Sequence, residues 1–542
     1  MSLLLGTWGD RSGYILLSLF AVLVISRILK FYNGLQVVNV SGYRPLFGPL
    51  GFPGVLLPTR WWNVGLDVHY RRRHDMYKES DYISIVPFIS GKPQIWTNNL
   101  DVARQIEGGG LKGVFHKPLE SSAALRLWGT NLAAANGEQW RRHRRVMGPA
   151  FNQKLYRIVW KKTQEIYREM VMTPEWTNEV VPIRPVQSIT FKLALIILGS
   201  CGFGLPGTWS EPPRTQSNDK AMTVQGALRI VADTVQLTLF APGWLKALPI
   251  KSFKDSQNAY RQLNDFMQDQ INLRKGFING QIAPEVEGSD EGVDKNNLLN
   301  LLIQASEDEE GKYQLKDEEL IGNVFLLLLA GHETTANALA GTFGFLAADG
   351  KIQQEVYESI IEVLGPERDP DFEDYSKLNK VMASFIETVR LIPGGHVLIR
   401  EAGEDTIIDI PADPKSGKPK RSLPLRKGVQ VVVDMIGLHR NPRYFDDPEE
   451  YRPSRWFHLP NDSELFTGFS VGPRACIGRK FASLEAVCWL SMVLRDWEVQ
   501  PLLTEGETIQ EWKERTLVPN FSLTLGVCDV PVRFVKRPKA TV

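Results

Sequence analysis

Apolar residues recur at intervals of three and four along most of the chain, from about residue 60 to residue 395. This spacing places them on one face of a helix, so the pattern predicts a mostly helical body. Between about residues 396 and 435, and again from 515 to 537, the interval shortens towards two. An interval of two is typical of short strands. The pattern therefore predicts a mainly α protein with a smaller β portion.

The first apolar run is a different kind of segment. Residues 12–26 carry no charge, and Arg27 and Lys30 follow them. Fifteen residues span about 22 Å as a helix, and cations that snorkel extend the usable segment towards the roughly 30 Å hydrocarbon core. A cleaved signal peptide is the alternative, but no small-x-small site follows the run. The sequence predicts one transmembrane helix at about 12–31 within an anchor at 1–31, with the following chain in the cytosol.

The composition narrows the classes of function. Lys and Arg number 63 against 62 Asp and Glu, and this near-neutral balance argues against a nucleic-acid-binding protein. Hydrophobic residues make up 43% of the chain, which is enough for a folded core and excludes disorder over most of its length. Four cysteines are too few for a disulfide scaffold, so an essential cysteine is expected to be a free thiolate or a metal ligand.

The strongest chemical signal is a cysteine in a glycine-containing loop at residues 469–478, where the sequence reads F-x-x-G-x-R-x-C-x-G. Gly472 and Gly478 let the backbone approach a flat ligand, and N–H groups at the start of the following helix can stabilise a thiolate at Cys476. Arg474 can pair with a carboxylate on that ligand. A cysteine in apolar surroundings is more often a small core residue, but chance is a poor explanation for the whole pattern.

This loop resembles the signature of the cytochrome P450 family of heme-thiolate monooxygenases. The resemblance implies that Cys476 is the axial ligand of the heme iron and that Phe469 and Arg474 also contact the heme. It implies the cytochrome P450 fold, preceded by the single transmembrane helix. A Pro- and Gly-rich stretch at 32–58 is expected to form a stiff hinge, and residues 59–542 the heme-binding catalytic domain.

A second motif, AGHETT at residues 330–335, interrupts a long apolar helix. A glycine in mid-helix costs about 1 kcal/mol relative to alanine, so Gly331 needs a reason. One alternative is a second transmembrane helix, in which Glu333 would be costly, and another is a polar patch that only bends the helix. The family resemblance implies a groove for oxygen beside the heme. In it, Gly331 lies next to the cofactor, Thr334 is the alcohol that hydrogen-bonds dioxygen, and Glu333 is the acid that helps to deliver protons.

Glu387 and Arg390 are spaced to face each other on a third helix. The same spacing occurs elsewhere, for example at Glu138 and Arg141, where the ordinary interpretation is a surface ion pair of little energetic value. The resemblance implies that the Glu387 pair is buried and is joined by Arg455 from a P-x-R-[FW] element. The expected role of these three residues is structural, because they hold the cysteine loop in place.

Trp140 and Arg144 share a helical face at i, i+4 spacing. The resemblance implies that both contact a heme propionate, together with Arg400 and Arg474. A solvated basic face is an equal alternative for any one of these arginines. Further cations near the motifs are expected to form a surface that docks an acidic reductase: Arg141, Arg142, Arg145, Arg479 and Lys480.

The implied activity is a monooxygenase reaction, in which R–H, O2, NADPH and H+ give R–OH, water and NADP+. No G-x-G-x-x-G motif opens a βαβ unit, so NADPH is not expected to bind this chain. Its electrons are expected to come through NADPH–cytochrome P450 reductase, with cytochrome b5 as an additional candidate partner. The expected cofactor is heme b, and the expected location is the endoplasmic reticulum membrane, with the catalytic domain facing the cytosol.

The substrate is the least determined part of the prediction. The apolar segment Phe240–Leu245 is expected to dip into the bilayer, which favours a lipophilic substrate. Resemblance to membrane-bound fungal members makes a terpenoid or steroid-like intermediate of secondary metabolism the first expectation and fatty-acid or xenobiotic hydroxylation the second. An isomerase or dehydratase of the same fold, a non-catalytic heme sensor or lipid-binding protein, and a cysteine hydrolase are the other candidates. The intact pair Glu333 and Thr334 argues against the first of these, and the absence of a motif-marked histidine base against the last.

Overall fold

A computed structural model describes residues 2–49, 51–108, 113–205, 207–211, 214–215, 222–240, 250–278, 297–307, 313–413, 417, 419–461, 463 and 465–538. The helices are α1 Ser2–Val38, α2 Val68–Arg71, α3 Leu100–Gly108, α4 Gly137–Met147, α5 Gln153–Val171, α6 Gln187–Phe203, α7 Val224–Phe240, α8 Lys251–Ile278, α9 Leu298–Glu307, α10 Asp317–Ala348, α11 Gly350–Leu364, α12 Asn379–Leu391, α13 Met435–His439, α14 Arg479–Asp496 and α15 Ile509–Thr516. The strands are β1 Gly42–Tyr43, β2 Tyr82–Ile85, β3 Gln94–Thr97, β4 Phe115–His116, β5 Val180–Ile183, β6 Val397–Ala402, β7 Thr406–Ile410, β8 Arg421–Leu425, β9 Gln430–Asp434, β10 Trp497–Pro501, β11 Pro519–Phe521, β12 Leu525–Val527 and β13 Val532–Lys536. The mainly α class with a smaller β portion is confirmed.

Helix α1 contains the expected anchor. Within the described residues, its segment Tyr14–Val38 is the one helix long and apolar enough to cross a membrane. The helix does not end at residue 31 but continues to Val38, into the stretch expected to be a hinge. Division of the chain at 31 and 58 therefore stays a prediction. Residues 241–245, which belong to the segment expected to dip into the bilayer, lie outside the described residues.

The chain forms two compact units, the first made of Met1–Pro118 and Val397–Asp446. This unit contains a six-stranded sheet in the order β1-β2-β3-β9-β6-β4, in which β1 with β2 and β3 with β9 are parallel pairs. Strands β3 and β9 are buried along their whole length, as expected of central strands with apolar side chains on both faces. Strands β7 and β8 form a separate antiparallel hairpin.

The second unit comprises Leu119–His396 and Asp447–Val542 and contains the longest buried helix described, α10. Three acidic residues at its first turn suit the positive end of the helix dipole. Helix α10 packs along α6 and also contacts α12, α14 and strand β12. Strands β10, β13 and β5 form an antiparallel sheet, and β11 pairs with β12 in a hairpin. Because α10 is buried on nearly all sides, the second-transmembrane-helix interpretation is wrong.

Candidate active site

The cysteine loop closes on itself immediately before helix α14. The backbone N–H of Cys476 donates to the carbonyl of Phe469 at 2.9 Å, and that of Ala475 donates to Gly472 at 3.0 Å. Gly472 has a φ of 72°, and Ser470 has a φ of 68° with a ψ of 179°. The Ser470 conformation is essentially restricted to glycine and costs on the order of 1–3 kcal/mol in another residue. Backbone strain of this kind is typical of functional sites, so the loop is a site candidate on geometry alone.

Cys476 differs from the other three cysteines of the chain in its exposure. Cys201 and Cys488 are buried and Cys528 is half-buried, whereas the side chain of Cys476 is exposed. Protein atoms packed around its sulfur nevertheless raise the pKa of the thiol by desolvation, while the N–H of Gly478 and the guanidinium of Arg144 act in the opposite direction. No histidine is hydrogen-bonded to Cys476 among the described residues, so the cysteine-hydrolase interpretation has no base to support it.

Arg474 of the cysteine loop and Arg144 of α4 are two of the residues predicted to face the ligand. The guanidinium of Arg474 lies over the ring of Trp140, 4.7 Å from its centroid, and donates to Asn136 Oδ1 at 3.5 Å. Arg144 is half-buried, and burial lowers its pKa while the nearby Cys476 raises it. Within the described chain no hydrogen bond engages the Arg144 guanidinium. A half-buried cation without an anionic partner beside an exposed thiol suits a ligand that carries carboxylates.

Arg400 is buried on β6 in the first unit. Its guanidinium donates to the carboxylate of Glu107 on α3 and to the carbonyl of Ile399 at 2.8 Å. The other carboxylate oxygen of Glu107 is buried without a hydrogen-bond partner among the described residues. Contact between Arg400 and a propionate stays a prediction, and Glu107 is a partner that sequence reasoning missed.

The AGHETT motif lies within α10 without interrupting it. Thr334 Oγ1 donates to the carbonyl of Ala330 at 2.8 Å, and Thr335 Oγ1 donates to that of Gly331 at 3.4 Å. Both hydroxyls therefore satisfy carbonyls one turn back, as serine and threonine commonly do in helices. Thr334 is half-buried and borders Gly394, whose Cβ, if it had one, would lie 3.3 Å from the threonine methyl.

Packing explains the glycine at position 331. A Cβ added to Gly331 would lie 2.9 Å and 3.0 Å from the two terminal methyl groups of Leu198 on α6. The missing side chain thus lets α10 and α6 approach closely, which offsets the low helix propensity of glycine. Contact between Gly331 and a cofactor stays a prediction.

Glu333 is buried beside a small cavity of about 80 Å³ that is open on one side. Its Oε1 accepts a hydrogen bond from Thr524 Oγ1 at 2.7 Å, and its Oε2 has no partner among the described residues. Burial raises the pKa of Glu333, and the nearby Asp233 raises it further. Asp233, Ser522 and Thr524 line the same cavity. The raised pKa favours the protonated form, so Glu333 is a candidate general acid at this cavity.

The neighbouring histidine is not suited to that task. His332 is buried, and desolvation lowers its pKa to about 4. Its Nδ1 lies 3.0 Å from the carbonyl of Leu328, one turn back. The imidazole is therefore neutral at physiological pH and contributes to packing against Phe191, with ring centroids 5.5 Å apart.

Glu387 and Arg390 form a fully buried pair on α12. Arg390 donates to both carboxylate oxygens, from Nη2 at 2.8 Å and from Nε at 2.9 Å. Arg455 Nε donates to Oε1 at 2.9 Å. Two further donors were not predicted, the backbone N–H of Arg452 at 2.8 Å and the indole of Trp456 at 2.7 Å. The carboxylate therefore accepts five hydrogen bonds and joins α12 to the segment that contains Arg455.

Several of the cations expected at a reductase-docking surface already have partners. Arg141 pairs with Glu138, Arg142 pairs with the buried Glu319, and Arg145 donates to the hydroxyl of Tyr313 at 2.7 Å. Arg479 donates to the carbonyl of Ser463, and the ammonium of Lys480 lies 3.8 Å from the ring centroid of Tyr375. Arg141 and Arg142 are thus balanced locally by carboxylates, which leaves a smaller positive surface than the sequence predicts.

Comparison with known proteins agrees with this geometry. The family model described as Cytochrome P450 matches residues 57–525. The chain is 30% identical over 530 residues to cytochrome P450 monooxygenase 124 of Postia placenta, a match that covers 96% of this chain and 98% of the relative. It is also 26% identical over 395 residues to cyclooctat-9-en-7-ol 5-monooxygenase of Streptomyces melanosporofaciens, covering 72% and 76% of the two chains.

A crystal structure of a cytochrome P450 (CYP102L1) superposes with a TM-score of 0.65 at 21% identity, covering 88% of this chain and 97% of the other. The family model and the Postia placenta relative together define a heme-dependent monooxygenase. The chain belongs to the cytochrome P450 family. Members of this family bind heme b, use O2 and receive electrons from a reductase, and they act on small-molecule substrates.

Proposed function

We propose that Cys476 is the axial ligand of heme b in this chain and that the enzyme oxidises a lipophilic small molecule. The observation that carries the assignment is the strained loop that presents the one exposed cysteine of the four beside Arg144, which has no anionic partner in the described chain. These residues fit heme for two reasons. A single thiolate is enough to coordinate an iron that the macrocycle already holds, and the arginines can pair with the carboxylates of the propionates. No cluster of three or more His, Cys, Asp or Glu suited to a bare metal ion occurs in the described residues.

When bound, the heme supplies oxygen activation and insertion, and the protein supplies orientation and protons. Burial favours the protonated form of Glu333 by raising its pKa, and the cavity beside its side chain, lined in part by Asp233 and Ser522, offers a route for that proton. Thr334 Oγ1 donates to Ala330 in this structure, so it must rotate away from that carbonyl before it can donate elsewhere. In this proposal Glu333 replenishes the protons and Thr334 directs them.

Arg474, Trp140, Arg144 and Arg400 are the proposed propionate contacts, and Phe469, the first residue of the cysteine loop, is a further proposed heme contact. To take this role, Arg400 must either give up its contact with Glu107 or bind the carboxylate of Glu107 and the propionate at the same time. Glu387, Arg390 and Arg455 support the site from a distance, and their proposed role is structural.

The proposed substrate is a terpenoid or steroid-like intermediate of fungal secondary metabolism. The support is a relative from Postia placenta that is similar over nearly its whole length, together with relatives named for oxidation of cyclooctat-9-en-7-ol and for a phomenoic acid biosynthesis cluster. The proposed electron donor is NADPH–cytochrome P450 reductase, and the proposed location is the endoplasmic reticulum, with α1 as the anchor.

The cofactor assignment is tested by the spectrum of the reduced protein with carbon monoxide. Wild type and Cys201→Ala should give the red-shifted band of a thiolate-ligated heme, whereas Cys476→Ala should lose it. A band that survives in Cys476→Ala would exclude Cys476 as the ligand. Co-expression with a reductase and candidate terpene scaffolds, read by mass spectrometry, tests the substrate class.

The proton roles are tested by the ratio of product formed to NADPH oxidised. Thr334→Ala should keep its heme and consume NADPH but release more peroxide and less product. One misplaced catalytic hydrogen bond commonly costs about a hundredfold or more in rate. Thr335→Ala is the matched control, because its hydroxyl makes the same kind of helix contact. Equal coupling in both variants and wild type would remove Thr334 from the mechanism.

A further inference from the structure

Arg400 and Glu107 form an ion pair that is closed off from solvent within the first unit. The side chain of Arg400 on β6 is 4% exposed, and that of Glu107 on α3 is fully buried. Among the described residues, Glu107 is the one carboxylate paired with Arg400. The next residue of β6, Glu401, belongs to a separate pair, because Lys92 Nζ donates to it at 2.9 Å. The charge of Arg400 is therefore balanced by Glu107 alone.

Both members of the pair keep hydrogen-bonding capacity that the described chain does not use. A guanidinium carries five N–H groups, and in Arg400 one donates to Glu107 and one to the carbonyl of Ile399. Glu107 Oε1 is buried and has no partner among the described residues. Buried polar groups normally have partners, so a further polar group is expected to contact this pair. The proposed function supplies one, because Arg400 is a proposed contact of a heme propionate.

The pair differs from Arg144, another proposed propionate contact, in its net charge. No carboxylate pairs with Arg144 in the part of the chain that the structure describes, so Arg144 brings a full positive charge. Burial lowers the pKa of Arg400 and the carboxylate of Glu107 raises it, so Glu107 keeps this guanidinium protonated while offsetting its charge. A positive charge near a heme favours the reduced iron, which carries one positive charge less than the oxidised iron.

We propose that Glu107 is a positioning residue that holds Arg400 for a heme propionate and, by offsetting its charge, lowers the reduction potential of the iron. The inference rests on the proposed function, in which Arg400 contacts a propionate. The step that Glu107 affects is the transfer of one electron from the reductase to the ferric iron, which gives ferrous iron and breaks no bond. The pair therefore lets Arg400 bind the propionate without making the iron easier to reduce.

The reduction potential of the heme-loaded full chain, measured by spectroelectrochemical titration, tests the proposal. Glu107→Gln keeps the size of the side chain and removes its charge, whereas Glu107→Asp keeps the charge. Glu401→Gln is the matched control, because it removes the same charge from the next residue of β6, where Lys92 is the partner. Only variants that keep the reduced carbon monoxide spectrum of the wild type are compared, so loss of folding or of heme cannot imitate the result.

We expect Glu107→Gln to raise the ratio of reduced to oxidised iron about tenfold at a fixed applied potential, which is a positive shift of about 59 mV for one electron. Glu107→Asp and Glu401→Gln should shift the potential much less. Equal potentials in Glu107→Gln and wild type would overturn the role of Glu107. Equal shifts in Glu107→Gln and Glu401→Gln would also overturn it, because the effect would then not depend on the pair with Arg400.

Arg400→Gln separates failure of this inference from failure of the proposed function. Loss of the guanidinium should make the potential more negative, and Glu107→Gln in the same chain should return it towards wild type, because the pair is then removed as a neutral unit. That comparison also replaces Glu107→Gln where the single variant fails the spectral criterion. A shift in Arg400→Gln that Glu107→Gln does not reverse would overturn the inference and leave Arg400 as a heme contact. An unchanged potential in Arg400→Gln would remove Arg400 from the proposed contacts, and the inference with it.

Discussion

The carboxylate of Glu387 offers the sharpest test of how the second unit is held together. Glu387→Gln preserves the shape of the side chain but removes its charge and replaces one acceptor oxygen with an NH2 donor. That NH2 group then faces donors from Arg390, Arg455 or Trp456, all of which bind the carboxylate in the structure. The guanidinium of Arg390, which is 2% exposed, also loses its buried counter-ion.

Removing one partner of a buried ion pair costs about 3–5 kcal/mol. Glu387→Gln should therefore lose a large part of the free energy of unfolding, which is typically about 5–15 kcal/mol for a protein. The matched control is Glu138→Gln, since Glu138 and Arg141 have the same sequence spacing but the Glu138 side chain is 83% exposed. An exposed pair contributes about 0–1 kcal/mol, so the control should unfold close to wild type.

The assay is urea unfolding of the heme-loaded protein, followed by circular dichroism and by heme absorbance. We expect the midpoint of Glu387→Gln to fall well below those of wild type and Glu138→Gln, with heme released in the same transition. Equal midpoints for the two variants would refute the reasoning. The buried pair with its five hydrogen bonds would then contribute no more stability than an exposed pair with the same sequence spacing.

Three further variants test other contacts. Gly331→Val should lose about 1–3 kcal/mol of stability through overpacking against Leu198, and Leu198→Ala in the same chain should restore part of the loss in urea unfolding. Glu485 is fully buried on α14 with both oxygens unpaired among the described residues, and desolvation raises its pKa well above the ordinary value. The folded chain therefore keeps a proton that the unfolded chain releases near pH 4.3, so stability contributed by this group is present at lower pH and is lost as the pH rises from about 4 towards the folded pKa. Glu485→Gln should remove this dependence. In urea unfolding, the stability of the variant relative to wild type should therefore increase from pH 5 to pH 8. A stability difference that is the same at both pH values would contradict a protonated carboxyl at Glu485. Thr524→Val should lower product per NADPH about tenfold, the equivalent of one hydrogen bond of roughly 1.4 kcal/mol to Glu333, whereas Ser522→Ala on the same cavity should not.

The residue pattern predicted what depends on local spacing. Helical periodicity, the alternation near β9 and the cysteine loop all lie in short windows, so the class of the fold and the position of the loop could be read from sequence. The contacts of the candidate site could not, because they join distant positions. Glu107 and Arg400 are 293 residues apart, and Thr524 and Glu333 are 191 apart. Neither Glu107 nor Thr524 lies in a recognisable motif, so no local signal distinguishes them from other polar residues.

The end of α1 illustrates a different limit. The uncharged run ends at Ser26, and the cations Arg27 and Lys30 that follow it predicted that the anchor ends at residue 31, because charges commonly end a membrane segment. The helix nevertheless continues to Val38, since Gly34 and Val38 are buried on one of its sides within the first unit. The end of the proposed membrane segment and the end of the helix therefore lie at different residues, and charge patterning predicts only the first.

In the proposed anchored state, α1 runs unbroken from the bilayer to the turns where Phe31 packs edge-on against Phe88, and this couples rotation as well as position. Each residue of an α-helix turns the chain by about 100°, so inserting one residue between Arg27 and Phe31 would swing the membrane segment by that angle relative to the docked turns. Inserting seven or eleven residues would change the angle by only about 20°, although it would lengthen the helix by roughly 10 or 16 Å. A foreign anchor grafted onto this chain therefore replaces its own only when the splice keeps the helical phase, and a graft matched in length and hydropathy alone would turn a different side of the helix towards Phe88.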